Sequence, residues 1–383
     1  MSHQPFLAAG RALVHWLREG GEPGCAPRSA LWLYRWQAFW LEKHYALLRK
    51  TGPGAQPFPF PEGEGLVFIL GFWRSGTTLL HDLLAGAPGC CAPQTWQCMD
   101  PSALLVGGRR PGDAAAIRRP MDEVLVSAGS PQEDEFALMA MGVPSVYRGF
   151  LDPRRLPDVE PLLDQSYWES TTPGWQETLE CFLSWSKEKD RHRMVLKSPN
   201  HLFRFRALVS RYPRAKFIWI LRSPTEVWQS NLRMWRAMTT RYGLWECQGV
   251  ELETFLFQAL GAYADLLKDL NQEGTFHSSP VISYEDLVAN PGAILSPLAS
   301  PLALGPWDSW GPAVLSQFHP KPLRVASAMP EGAATDLLAR IKDLHQAILH
   351  KDSSALGHPH PAAPQSLIPT TTSTTTSIPR NLG

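Results

Sequence analysis

The sequence predicts an α/β fold of three layers, a central and mainly parallel β-sheet flanked by helices. Three observations predict it. Short apolar runs rich in strand formers recur along the chain with helical segments between them, the pattern of strands joined by crossover helices. These runs are apolar on both faces, as strands covered by a layer on each side must be. A glycine-bearing turn follows the first run where a helix begins, the kind of junction at which such folds hold ligands.

In chain order, Ala30–Leu48 places Trp32, Trp36, Phe39, Trp40 and Leu47 at helical spacing. That face is read as packed on the core, and its other use is to dock a lipid or a membrane interface. The stretch Thr51–Gly65 is rich in proline and glycine and reads as a linker. Leu66–Leu70 is the first strand, Gly71 ends it, and Thr77–Leu84 resumes as helix. Arg193–Lys197 is the second strand, Lys216–Leu221 the third and strongest, and Pro280–Tyr284 the fourth. Leu252, Phe255, Leu256, Ala259, Leu260, Tyr263, Leu266 and Leu267 form the clearest helical stripe. Residues 1–60 are therefore an N-terminal helical segment with its linker, 61–350 the main domain, and 351–383 a low-complexity tail expected to be disordered.

The 383 residues carry 36 Lys+Arg against 36 Asp+Glu, so the net charge is zero. A protein that grips a nucleic-acid polymer through its phosphates carries a basic excess, and this one is not expected to bind one. No apolar stretch approaches the roughly 18 residues needed to span a bilayer, and residues 1–21 lack the pattern of a signal peptide. The six cysteines show no Cys-x-x-Cys spacing, so thiols in a reducing cytoplasm are expected, with neither a metal nor a disulfide framework.

The most informative segment is Gly71-Phe72-Trp73-Arg74-Ser75-Gly76-Thr77-Thr78. A strand-to-helix turn aims backbone N–H groups and the positive end of a helix dipole at one point, which suits an anion. Gly76 lets a phosphate approach the backbone, Ser75, Thr77 and Thr78 add hydroxyls, and Arg74 adds charge. In a nucleoside-triphosphate loop a lysine stands where Thr77 stands here. A kinase-like phosphotransferase is accordingly the weaker alternative, and a non-catalytic scaffold is another.

Gly71–Leu80 resembles the 5′-phosphosulfate loop of sulfotransferases that use 3′-phosphoadenosine 5′-phosphosulfate (PAPS). The strand Lys216–Leu221 runs into Arg222-Ser223-Pro224, with Ser230 eight residues after Arg222, where that family holds the donor's 3′-phosphate. Tyr284-Glu285-Asp286-Leu287 resembles the family's segment with a tyrosine near the adenine. Arg119-Pro120-Met121, Pro131–Leu138 and Leu196–His201 resemble the bacterial branch with broad, often lipid-like, acceptors. The resemblance spans about 65–320 and implies a P-loop-like fold, PAPS as donor with no metal, and a small-molecule or lipid-like acceptor.

It also implies site residues: Arg74, Ser75, Gly76, Thr77, Thr78, Arg222, Ser230 and Tyr284 for the donor, with Arg74 and Lys197 neutralising charge on the transferring group. Two departures stand out. Cytosolic members place a catalytic histidine two residues after the lysine, whereas here Pro199 is there and His201 comes four after Lys197. Their Arg-Lys-Gly loop near the C-terminus has no counterpart, and Lys321, Arg324 and Arg340 are the substitutes on offer. Two groups compete as the base that takes the acceptor's proton. One is His201, the other the Glu133-Asp134-Glu135 cluster, with Glu133 the member facing the acceptor. His81 and Asp82 fall on different faces of one helix. The basic stretch Arg204, Arg206, Arg211 and Arg214 reads as a solvated helix face, and its other use is to draw in an anionic donor.

Overall fold

A computed structural model describes residues 58–104, 116–119, 121–122, 124–171, 174–243, 249–316, 318 and 332–352. The N-terminal tryptophan stripe, Lys321, Arg324 and the tail from 353 lie outside the described residues. The elements used below are, in chain order, β1 (Leu66–Leu70), α1 (Thr77–Ala85), β2 (Cys90–Cys91), β3 (Ile117–Arg118), β4 (Leu125–Val126), α2 (Glu135–Ala140), α3 (Gly174–Ser186), β5 (Arg193–Lys197), α4 (Phe205–Arg211), β6 (Lys216–Leu221), α5 (Pro224–Tyr242), α6 (Gly249–Gln272), β7 (Val281–Ser283), α7 (Tyr284–Ala289) and α8 (Ala333–Asp352).

Among the described residues the main sheet has the order β2-β5-β1-β6-β7, and its strand pairs are parallel. The register sets Phe68 between Leu196 on β5 and Phe217 on β6. Side chains alternate between the faces, as strand geometry requires. Leu66, Phe68 and Leu70 of β1 join Phe217, Trp219 and Leu221 of β6 in one core. Val67 and Ile69 join Ile218 and Ile220 in the other. The aromatic face is covered by α6 and α8 through residues such as Leu256, Leu260, Leu338 and Ile341. The aliphatic face is covered by α1 through Leu80 and Leu84, and by α7 through Leu287. Fully burying each such side chain contributes about 1.5–3 kcal/mol.

The expected strands stand where the sequence places them, apart from the fourth, which is trimmed to Val281–Ser283. The two-residue β2 and the β3–β4 hairpin carry no periodic signal, and the sequence reading does not contain them. Because β1 is central, the chain leaves it for β2 on one side and later crosses it from β5 to β6 on the other. In such sheets the crevice beyond the strands' C-terminal ends, at this switch point, is where ligands bind. Gly71, Lys197, Arg222 and Tyr284 all stand at or just past those ends.

Candidate active site

The loop after β1 is shaped by backbone demands. Gly71 packs so closely on its neighbours that an added Cβ would lie 2.5 Å from Ser75 Oγ and 2.8 Å from the Ile220 carbonyl oxygen. Gly76 has φ +101°, and an added Cβ would overlap the ring of Tyr284. Arg74 has φ +70°, a left-handed conformation costly for a residue with a Cβ and concentrated at functional sites. Among the described residues no side chain caps the N-terminus of α1, and the buried Ser75 Oγ has no hydrogen-bond partner. Donors left free at a helix N-terminus are what a phosphate-type oxygen takes up, so these residues fit the 5′ end of the donor implied by the resemblance.

Arg222 leaves β6 and is held by Glu226 one turn into α5, with Nε at 3.0 Å and an Nη at 2.8 Å from the same carboxylate oxygen. Its other Nη donates to the carbonyl of Arg74 at 3.1 Å. The guanidinium carbon sits 4.3 Å from the centre of the Tyr284 ring, a cation–π contact. Ser230 is buried and accepts from Arg74 Nε at 3.0 Å. Arg74, Ser230, Arg222 and Tyr284 are thus one connected group. Arg74 also donates to Asp122 at 2.9 Å, and Asp122 is gripped in turn by Arg119. Burial works against the Asp122 charge, but the Arg119 and Arg74 cations hold its pKa below the usual aspartate value.

The acidic cluster is not a solvated face. It forms a ladder with the segment after β5. Glu133 pairs with Lys197 at 2.6 Å, Asp134 with His201 Nε2 at 2.7 Å, and Glu135 with Arg204 through two contacts of 2.5 and 3.1 Å. Ser198 caps the 3₁₀ turn Pro199–Arg204 by accepting from Asn200 N–H, and that turn sets the three bases at this spacing. Exposure falls along the ladder: Glu133 is 13 % exposed, and Asp134, His201, Glu135 and Arg204 are at 0 %.

His201 is therefore not at the cleft. Its ring packs edge-on against Phe68 and its Nε2 is committed to Asp134, which corrects its reading as a base facing the acceptor. Arg204 departs from expectation too, being buried under Trp168 and Trp175. Arg206, Arg211 and Arg214 are bound to Glu273, Glu180 and Glu64, so this stretch is neutralised locally and is no funnel for an anion. Arg340 is committed to Asp265.

At the open end, Lys197 Nζ also donates to Thr78 Oγ1 at 3.3 Å, joining Glu133 to the phosphate loop. The Tyr147 hydroxyl donates to the second Glu133 oxygen at 2.6 Å. Burial first, and the Glu133 charge second, raise the Tyr147 pKa, so it remains a donor. A carboxylate offers about four lone-pair sites, so Glu133 retains room for another proton donor.

Asp82, one helical turn after Thr78, is exposed on the same side of α1, whereas His81 is buried against the Val195 carbonyl. Burial pulls the His81 pKa down to about 3, which keeps it neutral. The Asp82 carboxyl is pushed up to about 6 by surrounding protein, against the pull of Lys197 and Arg119. Asp82 and His81 do lie on different faces of α1, and the sequence carries no signal for Tyr147 or Asp122.

A model of the Sulfotransferase family matches residues 67–309. The chain is 33% identical over 257 residues to the omega-hydroxy-beta-dihydromenaquinone-9 sulfotransferase Stf3 of Mycobacterium tuberculosis (strain CDC 1551 / Oshkosh) and of Mycobacterium bovis. That match spans 64% of this chain and 64% of the length of those relatives. The fold is similar to the crystal structure of sulfotransferase STF9 from Mycobacterium avium, with TM-score 0.58 and 19% identity over 92% of each chain. It is similar also to STF1 from Mycobacterium tuberculosis H37Rv, with TM-score 0.56 and 17% identity over 90% of this chain and 93% of that one. With the matched region running from β1 past the tyrosine segment, the chain belongs to the sulfotransferase family.

Proposed function

We propose that this chain moves a sulfuryl group from PAPS to the hydroxyl of a lipid-like acceptor. The observation that carries the reading is the link Glu133–Lys197–Thr78, which joins a partly exposed carboxylate to the loop after β1 through one buried ammonium. The lipid-like acceptor is supported by the hydroxylated menaquinone named for the Stf3 relatives.

When bound, PAPS supplies the sulfuryl group and a phosphate leaving group. Loop N–H groups, Thr77, Thr78 and Arg74 hold the 5′ end, and Arg222 with Ser230 holds the 3′-phosphate beside the Tyr284 ring. Glu133 accepts the proton as the acceptor O–H breaks and the new O–S bond forms. Electrons from the broken S–O bond go to the 5′-phosphate oxygen, where Lys197 and the loop donors meet the charge. Such positioning and charge compensation is the main task of a protein in group transfer of this kind. Lys197 is suited to it because Glu133 and Thr78 fix its ammonium between base and loop. A reducing compartment such as the cytoplasm belongs to this reading.

Calorimetry with adenosine 3′,5′-bisphosphate tests the donor half, with ATP and Mg²⁺ as comparison. The expected result is binding of the bisphosphate in preference to ATP, weakened about 10- to 100-fold in Arg222→Ala, since a charge-assisted contact is removed. Preference for ATP with Mg²⁺ would overturn it. Transfer of labelled sulfate from PAPS to a panel of long-chain alcohols and quinols tests the acceptor half.

A further inference from the structure

Two guanidiniums from distant parts of the chain converge on one carboxylate beside the phosphate loop. Arg74 belongs to the loop, and Arg119 and Asp122 belong to the turn between β3 and β4. Arg119 Nε donates to Asp122 Oδ1 at 3.1 Å, and its Nη2 donates to Oδ2 at 2.7 Å. Arg74 Nη1 donates to that same Oδ2 at 2.9 Å. The side chains are mostly buried, with Arg74 20%, Arg119 15% and Asp122 11% exposed. Two guanidiniums this close repel unless an anion lies between them. Against a guanidinium fork, a carboxylate oxygen is interchangeable with a phosphate or sulfate oxygen.

The arrangement also has the means to open. The hairpin that carries Asp122 consists of two-residue strands joined by the pairs Ile117–Val126 and Arg118–Leu125. An isolated two-stranded hairpin is marginal on its own, so displacing the Asp122 side chain costs little. Arg74 has a second anchor, Ser230, and stays in place when Asp122 leaves.

We propose that Asp122 occupies the position that an anionic oxygen at the 5′ end of the donor takes between Arg74 and Arg119. Arg119 is then a donor-binding residue, and Asp122 an internal competitor that the donor displaces. The inference rests on the loop being the donor site, as argued above. It adds to that reading an arginine from outside the loop and a built-in limit on donor affinity.

Calorimetry on the full chain tests it with two ligands, adenosine 3′,5′-bisphosphate and adenosine 3′-monophosphate, which lacks the 5′ anion. Asp122→Asn removes the competing charge and tightens the bisphosphate roughly tenfold, and Arg119→Ala weakens it by a similar factor. The 3′-monophosphate responds to neither. Thermal unfolding of each variant separates these effects from loss of fold, and Arg119→Lys, which keeps charge but not the fork, falls between Arg119→Ala and wild type. Weaker bisphosphate binding in folded Asp122→Asn overturns the proposal, because the carboxylate would then be positioning Arg74. Equal shifts for both ligands, or an Arg119→Ala protein with wild-type affinity, overturn it as well. A wild-type protein that takes up no bisphosphate is a distinct result, in which the donor-site reading falls and this inference with it.

Discussion

The two ends of the acid–base ladder are made from the same two segments and the same kind of ion pair, yet they differ in what they can do. At the inner end, Glu135 and Arg204 are both at 0 % exposure, share two hydrogen bonds, and are pressed against Trp168. Neither partner there meets solvent, and among the described residues neither has a side-chain contact to the loop after β1. At the outer end, Lys197 is buried but Glu133 is 13 % exposed, and the pair is tied outward, to Thr78 of the loop and to Tyr147. An ion pair becomes chemically useful when one partner keeps a lone pair facing the cleft and the other touches the ligand site. Full burial away from the loop makes the same pair a structural fixture.

Experiments on the rungs can break or sharpen that contrast. The largest effect is expected at the outer end. Glu133→Gln keeps shape and a hydrogen bond to Tyr147 but cannot take a proton, so kcat of the folded variant for sulfuryl transfer falls about 10²–10⁴-fold, with some loss of stability because the buried Lys197 ammonium loses its counter-charge. Steady-state assay beside urea unfolding checks this, and wild-type turnover in that variant would remove Glu133 as the base. At the inner end the assays exchange roles. Arg204→Met leaves the Glu135 charge buried and unpaired, which lowers unfolding free energy by about 3–5 kcal/mol. Adding Glu135→Leu restores much of that loss, since well-packed apolar pairs replace buried ion pairs at little cost.

The middle rung gives the smallest effect and a pH signature. Burial opposes the Asp134 charge, but His201 and then Arg204 outweigh it, so its pKa lies below the ordinary 3.8. A lowered carboxylate pKa contributes stability that is present above its ordinary value and is lost as pH falls through the lowered one. Asp134→Asn should therefore flatten the acid side of the stability curve, below pH 3.8. Acid titration followed by near-ultraviolet circular dichroism measures it, and an unchanged acid limb would show that the rung carries no net charge interaction.

The frame of the molecule was legible because its signals are local. Leu66–Leu70 and Lys216–Leu221 are apolar at every turn of a two-residue period except the first lysine, and only a strand covered on both faces asks for that. The loop from Gly71 to Thr78 was legible because glycine there answers a steric demand visible in the residue itself. The ladder was not. Its partners are 64, 67 and 69 positions apart. Consecutive acids meet bases spaced by four and three residues only because a 3₁₀ turn follows β5. Read alone, Glu133–Glu135 and Arg204–Arg214 look like two solvated charged runs, and only packing cancels one against part of the other. The Arg119–Asp122 turn escaped for a similar reason, since a hairpin with two-residue strands leaves no periodicity.

One contact has a metric consequence. The Tyr284 ring lies against Gly76 on one side and under the Arg222 guanidinium on another. A rigid ring cannot be compressed, and glycine is what allows it to seat so deeply. On the proposed reading, the gap between the loop that would take one anion of the donor and the arginine that would take the other is set like the jaws of a caliper, with an aromatic ring as the gauge block. Ligands would then be graded by the separation of their two anions.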